Sequence, residues 1–476
     1  MPVILWTDAL IYLLVVMIAG FIWYACRHEH LRTPWRQVAK SRLGMAAAVV
    51  LAAYVLIGVL DSIHFHPRIE AVQPVTEENS ELAAKTAYSS DVISVFDVVM
   101  GPVRTQVEKT YSAPFAAYGF SKEAFSAEDG SQYLEYPRLQ YGGAHLEDPE
   151  TERWPDIMQR SLGGVGMAAI IWIVSVMLLL CWQAFRSSDN FKSYLVRIYR
   201  RQTPVPWDTI LYTYAALLLL TCIAYKLAPF YHIMGTDKVG QDVFYQAMKS
   251  IRTGLVIGTL TTLVMLPFAI FLGIAAGYFR GWVDDIVQYT YTTLVSIPGV
   301  LLIASAILLL QVYMANNAES FTNVEARADL RLLFLCLILG ITSWTGLCRL
   351  LRGETLKLRE IEYVQAAQAF GVSHLTIISR HILPNVMHIV LISVVLDFSS
   401  LVLAEAVLSY INIGVDPSMN SWGNMINSAR LEMAREPVVW WSLMAAFTFM
   451  LGLVLSANLF SDAVRDAFDP RLRKLD

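Results

Sequence analysis

The sequence predicts an all-α protein that crosses the membrane many times, and its composition and hydropathy pattern support that prediction. Of the 476 residues, 56% are hydrophobic and only 16% are charged, whereas soluble domains carry about 25% charged residues. Several apolar runs approach or exceed the roughly 18 residues that mark a membrane-spanning helix. A soluble enzyme is therefore disfavoured, and so is a β-barrel, whose strands alternate in polarity. The net charge of −4 gives no indication of a nucleic-acid partner.

Nine apolar segments are predicted to cross the membrane. The first lacks the basic start of a secretory signal and carries Asp8 early, so we interpret it as a retained span. The approximate bounds of the nine spans are 4–25, 43–63, 161–185, 209–230, 254–279, 283–312, 332–350, 385–410 and 438–460.

The distribution of basic residues predicts the orientation of these spans. Basic residues favour the cytoplasmic side, so the loop after the first span is placed inside and the N-terminus outside. Nine spans then put three later basic segments, including the C-terminal tail, in the cytoplasm as well. The residues are Arg27, Arg32, Arg36, Lys40 and Arg42; Arg186, Lys192, Arg197, Arg200 and Arg201; Arg349, Arg352, Lys357, Arg359 and Arg380; and Arg465, Arg471, Arg473 and Lys474.

A polar segment over 64–160 separates the second and third spans. It holds 16 Asp and Glu against 8 Lys and Arg, a net charge of −8 (8 minus 16), and its many aromatic residues are unusual for a linker. We expect a small, folded, acidic extracytoplasmic domain there. The chain then divides into two N-terminal spans (1–63), this domain (64–160), a third span with a basic linker (161–208) and a six-span region (209–476).

Periodicity in the loop 349–384 predicts two short cytoplasmic helices. Apolar residues recur every third position from Leu358 to Ala367, which predicts one helix over about 358–370 that Gly371 would end. Ser373 is placed to cap a second helix, and Pro384 to stop it before the next span. Small residues would let the first helix fit a groove on another protein, but periodicity alone favours a helix lying on lipid headgroups.

The residues of this loop resemble a known motif. Tyr363-Val364-Gln365-Ala366-Ala367, then Gly371 and His381-Ile382-Leu383-Pro384-Asn385, resemble the EAA loop of ABC importer permeases, and more narrowly the C-type subunit of the dipeptide/oligopeptide/nickel family. The resemblance implies a coupling helix that docks on an ATP-hydrolysing subunit. The leading Glu of the motif is Gln365 here, so an ion pair from that position is not expected.

Further matches extend the resemblance over about 206–474. The residues Gly235, Thr236, Asp237, Gly240 and Asp242-Val243 resemble the family segment GTDxxGRDV, with Gln241 in place of Arg. From the residues alone, this segment is a Gly/Asp-rich turn that orders the entry to the next span. The other matches are Gly277-Tyr278-Phe279 with Gly281-Trp282-Val283-Asp284, Ser421-Trp422-Gly423-Asn424-Met425, and the tail Arg465-Asp466-Ala467-Phe468-Asp469-Pro470-Arg471-Leu472-Arg473.

Two ionisable residues, Asp397 and Glu405, fall inside the eighth predicted span. They are eight residues apart, which puts them near one helix face and roughly 12 Å apart along its axis. Such groups mark a translocation path or a buried packing contact. For Glu405 we favour packing, whereas for Asp397 both interpretations stay open.

Several sequence features bear on catalysis and metal binding. No GxxxxGK[ST] phosphate loop occurs, so the chain is not expected to hydrolyse ATP. Neither HExxH nor GxSxG is present, which leaves membrane-embedded hydrolysis without support. His64 and His66 near Glu70 give only a weak indication of a metal. The five cysteines lie in or beside apolar runs and are predicted to be small apolar side chains without disulfides.

Together, the resemblance implies a transmembrane permease subunit of an ATP-driven ABC importer, most naturally for peptides. The implied partners are a homologous permease, two ABC ATPase subunits, an extracytoplasmic solute-binding protein and membrane lipid. No cofactor is expected on this chain, because ATP and Mg²⁺ would bind the partner ATPases. Nickel chelates or another small solute remain alternative cargo, and an ion-driven secondary transporter or a membrane scaffold remain alternative functions. Residues 1–205 carry no part of the resemblance.

Overall fold

Helices make up most of the protein in the computed structural model, which describes residues 2–27, 29–68, 88–89, 91–126, 131–187, 200, 203–317 and 324–468. The helices are α1 (Trp6–Arg27), α2 (Glu29–Val38), α3 (Arg42–Asp61), α4 (Val95–Val99), α5 (Gly101–Arg104), α6 (Pro149–Ser187), α7 (Trp207–Leu227), α8 (Val243–Phe279), α9 (Gly281–Ser296), α10 (Gly299–Asn316), α11 (Val324–Ser343), α12 (Thr345–Arg359), α13 (Glu362–Ala369), α14 (His374–Ile377), α15 (Leu383–Tyr410), α16 (Trp422–Glu432) and α17 (Trp441–Phe468). The strands are β1 (Pro2–Val3), β2 (His64–Phe65), β3 (Ile93–Ser94), β4 (Glu123–Ser126) and β5 (Gln132–Glu135).

Eight helical stretches among the described residues are long and apolar enough to cross a membrane, which confirms an all-α polytopic membrane protein. They overlap eight of the nine predicted spans. The first predicted span falls on α1, in which the stretch Trp6–Gly20 is apolar. The eight are Arg42–Asp61, Pro149–Trp182, Trp207–Leu227, Val243–Phe279, Gly299–Asn316, Val324–Arg359, His374–Tyr410 and Trp441–Phe468.

The prediction of one continuous span over 283–312 is wrong, because two helices occupy this region. α9 ends at Ser296, and α10 begins at Gly299 after Pro298. Proline has no backbone N–H and forces the preceding residue out of the helical region, and Ile297 has an extended ψ of 127°. The spanning part is therefore α10.

One compact unit comprises Met1–Leu5, Ala39–Thr253 and Asn420–Ser456. Helix α7 packs beside α3 and α6 in this unit. Strand β1 pairs antiparallel with β2, and β2 pairs antiparallel with β3. The N-terminus therefore lies beside the start of the segment 64–160, as expected if two spans separate them.

The described part of the segment 64–160 belongs to this first unit. It forms β2, β3, the helices α4 and α5, and the antiparallel hairpin β4–β5. Phe96 and Val103 pack against Ala228, directly after the end of α7, and against Tyr245 in the first turn of α8. These contacts join the segment 64–160 to helices α7 and α8 within the first unit. That the segment is a separate domain stays a prediction.

The second compact unit comprises Trp6–Val38, Gly254–Met419 and Ala457–Asp476. Its buried core has two main parts, one around α8, α12 and α15 and the other around α8, α10 and α11. At the start of α1, the backbone N–H of Thr7 donates to the Asp329 carboxylate at 3.1 Å. Near the other end of this unit, Trp35 meets Phe468 edge-to-face at 5.7 Å. The loop after the first predicted span thus lies beside the C-terminal end of α17, and both were predicted on one side of the membrane.

Candidate functional site

The EAA-like loop (residues 349–384) is largely helical, and two predictions about it were wrong. A single helix over 358–370 was expected, but α12 ends at Arg359 and α13 begins at Glu362. Ile361 between them is extended, with ψ at 139°, which allows Leu358 and Val364 on either side to enter the same core. Pro384 was expected to stop the second helix. Instead, it lies in the first turn of α15, and a π-helical turn over Ile378–Ile382 joins α14 directly to α15.

The reversal between α13 and α14 follows the local signals in the sequence. Gly371 adopts φ +73°, a conformation that glycine allows at no steric cost, and its N–H donates to the carbonyl of Gln368 at 3.0 Å. Ser373 caps α14 by accepting the N–H of Thr376. These two residues turn the chain back toward the membrane-spanning helix α15.

The EAA-like loop has one buried face and one exposed face. Val364 and Ile377 are fully buried, and half-buried Ala367 packs on the same core cluster. On the other face, Phe370 is 87% exposed and Leu375 is 79% exposed. Gln365, Ala366 and Pro384 are exposed as well. Large apolar side chains left uncovered on a firmly attached loop are typical of a surface that binds another protein or the membrane.

Tyr278 joins the predicted motif at the end of α8 to the EAA-like loop. Its hydroxyl lies 2.8 Å from Nδ1 of His374, and its carbonyl accepts a hydrogen bond from Arg359 at 2.6 Å. A cavity of about 400 Å³ opens at this junction. Its lining consists of Tyr278, Phe279, Arg359, Gln368, Gly371, Val372, Ser373 and His374. The side chain of Asn385, directly after the loop, donates to the Tyr363 hydroxyl at 3.1 Å, so the first and last residues of the EAA-like motif meet.

Gln365 replaces the acidic residue that the resemblance leads one to expect. Its side-chain amide donates to Glu360 at 3.2 Å, and Glu360 also pairs with Arg280. Both members of that ion pair are well exposed, so the pair contributes little to stability. Glu360, five residues earlier, thus places a negative charge next to position 365.

Two glycines of α8 bring it into backbone contact with α12, a feature that our sequence reasoning missed. A Cβ at Gly273 would lie 2.8 Å from the carbonyl oxygen of Cys348, and one at Gly277 would lie 2.7 Å from that of Arg352. Arg352 in turn forms a two-pronged ion pair with Asp284, at 2.5 and 2.7 Å. The Gly-x-x-x-Gly spacing was a usable signal, because it marks close helix packing in membranes.

The second predicted motif forms the α7–α8 turn (residues 228–242). Gly235 and Gly240 have φ of +70° and +80°, as such a turn requires. The Asp237 carboxylate accepts the N–H groups of residues 239 and 241, and Thr236 is fully buried. Asp242 caps α8 by accepting the N–H of Tyr245 at 3.1 Å. This geometry matches the residue-based interpretation of a turn that orders the entry to the next helix.

A buried histidine, His232, lies beside this motif and was not anticipated. Its Nδ1 lies 2.8 Å from Asp242, and its Nε2 lies 3.5 Å from Glu108. The second distance is long for a hydrogen bond, and we treat that contact as an ion pair. Burial alone would lower the pKa of an imidazole, but the two carboxylates raise the pKa of His232 to about 9. No local pattern links residue 108 to residue 232, so this contact has no signal in the sequence alone.

The structure places the two predicted membrane-embedded carboxyl groups differently. Glu405 is 2% exposed, and its carboxylate accepts the hydroxyl of Ser409 one helical turn later at 2.7 Å. That arrangement is the one expected of a packing contact. Asp397 is half-buried on the same helix, α15. A role for either in translocation stays a prediction.

Some predicted features lie partly outside the described residues. They are Glu70, the basic residues Lys192, Arg197 and Arg201, and the tail from Asp469 onward. Among the residues that the structure describes, no three His, Cys, Asp or Glu side chains are arranged so that they could hold a metal ion. Cys222, Cys336 and Cys348 are buried, as expected of small apolar side chains, whereas Cys26 and Cys181 are exposed.

Comparison with known proteins decides the family. The family model for the binding-protein-dependent transport system inner membrane component matches residues 269–474, which contain the whole EAA-like loop. The glutathione transport system permease protein GsiD of Pectobacterium atrosepticum is 31% identical over 242 residues, which cover 51% of this chain and 73% of the relative. The chain belongs to this family of ABC importer permeases.

Other members of the family support the same assignment. The oligopeptide transport system permease protein OppC of Mycobacterium tuberculosis is 29% identical over 280 residues, covering 55% of this chain and 90% of the relative. The dipeptide transport system permease protein DppC of Bacillus subtilis is 28% identical over 243 residues, covering 51% and 70%. This permease is therefore a multi-pass inner-membrane protein.

Proposed function

We propose that this permease imports peptides or peptide-like solutes as one subunit of an ATP-driven ABC importer. Relatives of this chain are named for the transport of glutathione, oligopeptides and dipeptides. Membership of the permease family supports a transport subunit that carries out no bond chemistry itself. The observation that carries the coupling half of the proposal is the EAA-like loop, which is anchored on one face and exposes large apolar side chains on the other.

Coupling to ATP follows from how the EAA-like loop is attached. The loop begins on α12, whose backbone contacts α8 at Gly273 and Gly277, and it ends by running through a π-helical turn into α15. A displacement of α13 therefore acts on spanning helices at both ends. A partner ATPase can drive such a displacement only if it binds the loop differently in its nucleotide states. Phe370 and Leu375 are the side chains that we assign to that contact.

The proposed complex contains a second, homologous permease, two ATPase subunits and an extracytoplasmic solute-binding protein. The family description, a binding-protein-dependent transport system, supports the last of these. ATP and Mg²⁺ bind the ATPase subunits. The N-terminus and the segment 64–160 lie outside the cell, and the EAA-like loop and the C-terminus lie in the cytoplasm.

Asp397 and the segment 64–160 have proposed roles in the transport path. Asp397 is half-buried within a spanning helix, so it is the carboxylate that we assign to contact with a peptide's amino terminus. The segment 64–160 is proposed to contact the solute-binding protein or to guard the outer mouth of the path. The alternative is a purely stabilising role, for which deletion of the segment would prevent assembly of the complex.

Purification of the tagged chain in mild detergent, with mass spectrometry of co-purifying proteins, tests the coupling proposal. We expect ATPase subunits and a second permease to stay bound to the wild type, and Phe370→Glu to lose the ATPase. Leu431→Glu is the matched control, because Leu431 is 71% exposed and belongs to α16, which is not part of the EAA-like loop. ATPase that is retained equally by both variants would contradict the docking role of Phe370.

Uptake into proteoliposomes tests the cargo. The assembled complex should accumulate labelled tri-alanine or glutathione in an ATP-dependent manner, in the presence of the binding protein. Accumulation of a nickel chelate instead of either peptide would replace the cargo assignment. Uptake driven by an ion gradient without ATP would overturn the proposed class of transporter.

A further inference from the structure

A buried cluster of three charged groups joins the segment 64–160 to the α7–α8 turn. His232 belongs to the turn, and the carboxylates of Asp242 and Glu108 lie 2.8 and 3.5 Å from its two ring nitrogens. The side chains of all three are at most 3% exposed. Glu108 comes from the segment 64–160, outside the region 269–474 that the family model matches.

Both carboxylates also bind the backbone of the segments on either side. Glu108 accepts the N–H groups of Gln140, Tyr141 and Gly142 at 3.0, 2.8 and 3.2 Å, and so fixes the backbone of these three residues against its own side chain. Asp242 caps α8 with one oxygen and contacts His232 with the other. A continuous series of polar contacts therefore runs from the segment 64–160 through His232 to the first turn of α8.

Backbone hydrogen bonds hold the same two segments side by side. Glu108 donates to the carbonyl of Gly240 at 2.9 Å, and Phe115 donates to that of His232 at 3.0 Å. Gly240 has φ +80°, and a Cβ there would collide with the backbone of Glu108. The close approach at this point thus depends on glycine.

A cluster of buried charges is an expensive way to attach one segment to another. Apolar side chains of similar size would hold the two together at least as well, because removing charges from water costs free energy that the ion pairs only partly return. An ionic cluster does fix the direction and the charge state of each group. We propose that Glu108 is a positioning residue for transport, which holds the α7–α8 turn and the first turn of α8 in the arrangement that transport requires.

The charge state of the cluster provides a signature for this role. Among the described residues, the titratable groups that face His232 are Glu108 and Asp242. With both carboxylates in place, the pKa of His232 is raised to about 9, so the cluster keeps its imidazolium at neutral pH and loses it as the pH rises through 9. Neutralising Glu108 removes one opposite charge and should lower that pKa by about one unit or more.

The test compares the pH dependence of the complete transporter in three forms, namely wild type, Glu108→Gln and Glu123→Gln. Glu123 belongs to the same segment but pairs with Lys109 in solvent, so its variant makes the same chemical change outside the cluster. Uptake of labelled tri-alanine into proteoliposomes and ATP hydrolysis by the complex are both measured from pH 6 to 10. We expect the alkaline fall in both activities to begin about one pH unit lower in Glu108→Gln, and to stay unchanged in Glu123→Gln.

Cargo and partner subunits titrate identically in all three proteins, so a difference between profiles belongs to the cluster. If the Glu108→Gln complex assembles and its activity falls at the same alkaline pH as that of the wild type, the proposal is overturned. A lower thermal stability of this variant would not rescue the proposal, because a contact that only stabilises the fold predicts that same result. If Glu108→Gln does not assemble, Glu108→Asp is tested instead, because its shorter side chain keeps the negative charge but holds it farther from His232. If the activity of this variant falls at the same alkaline pH as that of the wild type, the proposal is again overturned.

This inference rests on the proposed function, and the two fail in different ways. If the wild-type complex imports no tri-alanine, the cargo assignment fails, while the pH profile of ATP hydrolysis still tests Glu108. If uptake is normal but the profiles of the wild type and Glu108→Gln coincide, only the positioning role is lost.

Discussion

Replacing Gly277 with alanine tests the backbone contact between α8 and α12, on which the coupling argument depends. An added Cβ would lie 2.7 Å from both the carbonyl oxygen of Arg352 and the Cβ of Thr355, where ordinary contact begins at 3.4 Å. The helices must therefore separate by about 0.7 Å (3.4 minus 2.7) at a point where neither neighbouring atom is the end of a flexible side chain. Overpacking of this kind costs about 1–3 kcal/mol.

Part of that cost is offset, because alanine is a better helix former than glycine by up to about 1 kcal/mol. We therefore expect Gly277→Ala to destabilise the folded chain by about 1–2 kcal/mol. The matched control is Gly353→Ala on α12, since a Cβ at Gly353 meets no heavy atom within 4 Å. That control should gain about 0.5–1 kcal/mol from helix propensity alone.

Thermal unfolding in detergent, followed with a thiol-reactive fluorophore, measures the difference. Cys348 is buried at this same contact, whereas Cys26 and Cys181 are exposed and should be replaced by serine to lower the background. The midpoint should fall for Gly277→Ala and stay or rise for Gly353→Ala. Equal midpoints for the two variants would refute the argument that α8 and α12 touch through their backbones.

Three further predictions concern the EAA-like loop and the buried cluster around His232. Gly371→Pro should abolish uptake while the chain still folds, because proline cannot adopt φ +73° and the reversal between α13 and α14 would be misdirected; wild-type uptake by this variant would count heavily against coupling through the loop. Gln365→Glu should be tolerated in uptake assays, because the new carboxylate would meet Glu360, which is exposed and already paired with Arg280. A large loss of uptake would show that position 365 must be uncharged. At acid pH, Glu108 should lose a contribution of about 3 kcal/mol to the free energy of unfolding, because burial opposes its ionisation but His232 and three backbone N–H groups lower its pKa from 4.5 to about 2. This contribution is complete above pH 4.5 and fades as the pH falls to 2. It should be missing from the acid unfolding curve of Glu108→Gln.

Local signals in the sequence were enough for the class of protein and for much of the EAA-like loop. Spanning helices require long apolar runs, so hydropathy alone located eight of them. The roles of Gly371 at a helix end and of Ser373 as a helix cap could be predicted, because each depends on one residue and its immediate neighbours. The break at Pro298 was equally local and was overlooked because the apolar run continues through it.

The sequence by itself determined that this protein is a polytopic membrane permease of the ABC importer type, and where its motifs lie. Only the tertiary structure decided that Glu108 meets His232 across 124 positions of the chain (232 minus 108), and that Gly277 contacts α12. The physical reason is that a charge or a glycine can find its partner on any element that folding brings near. Periodicity and capping report on a residue's own helix, whereas contacts between distant segments depend on the packing of the whole unit.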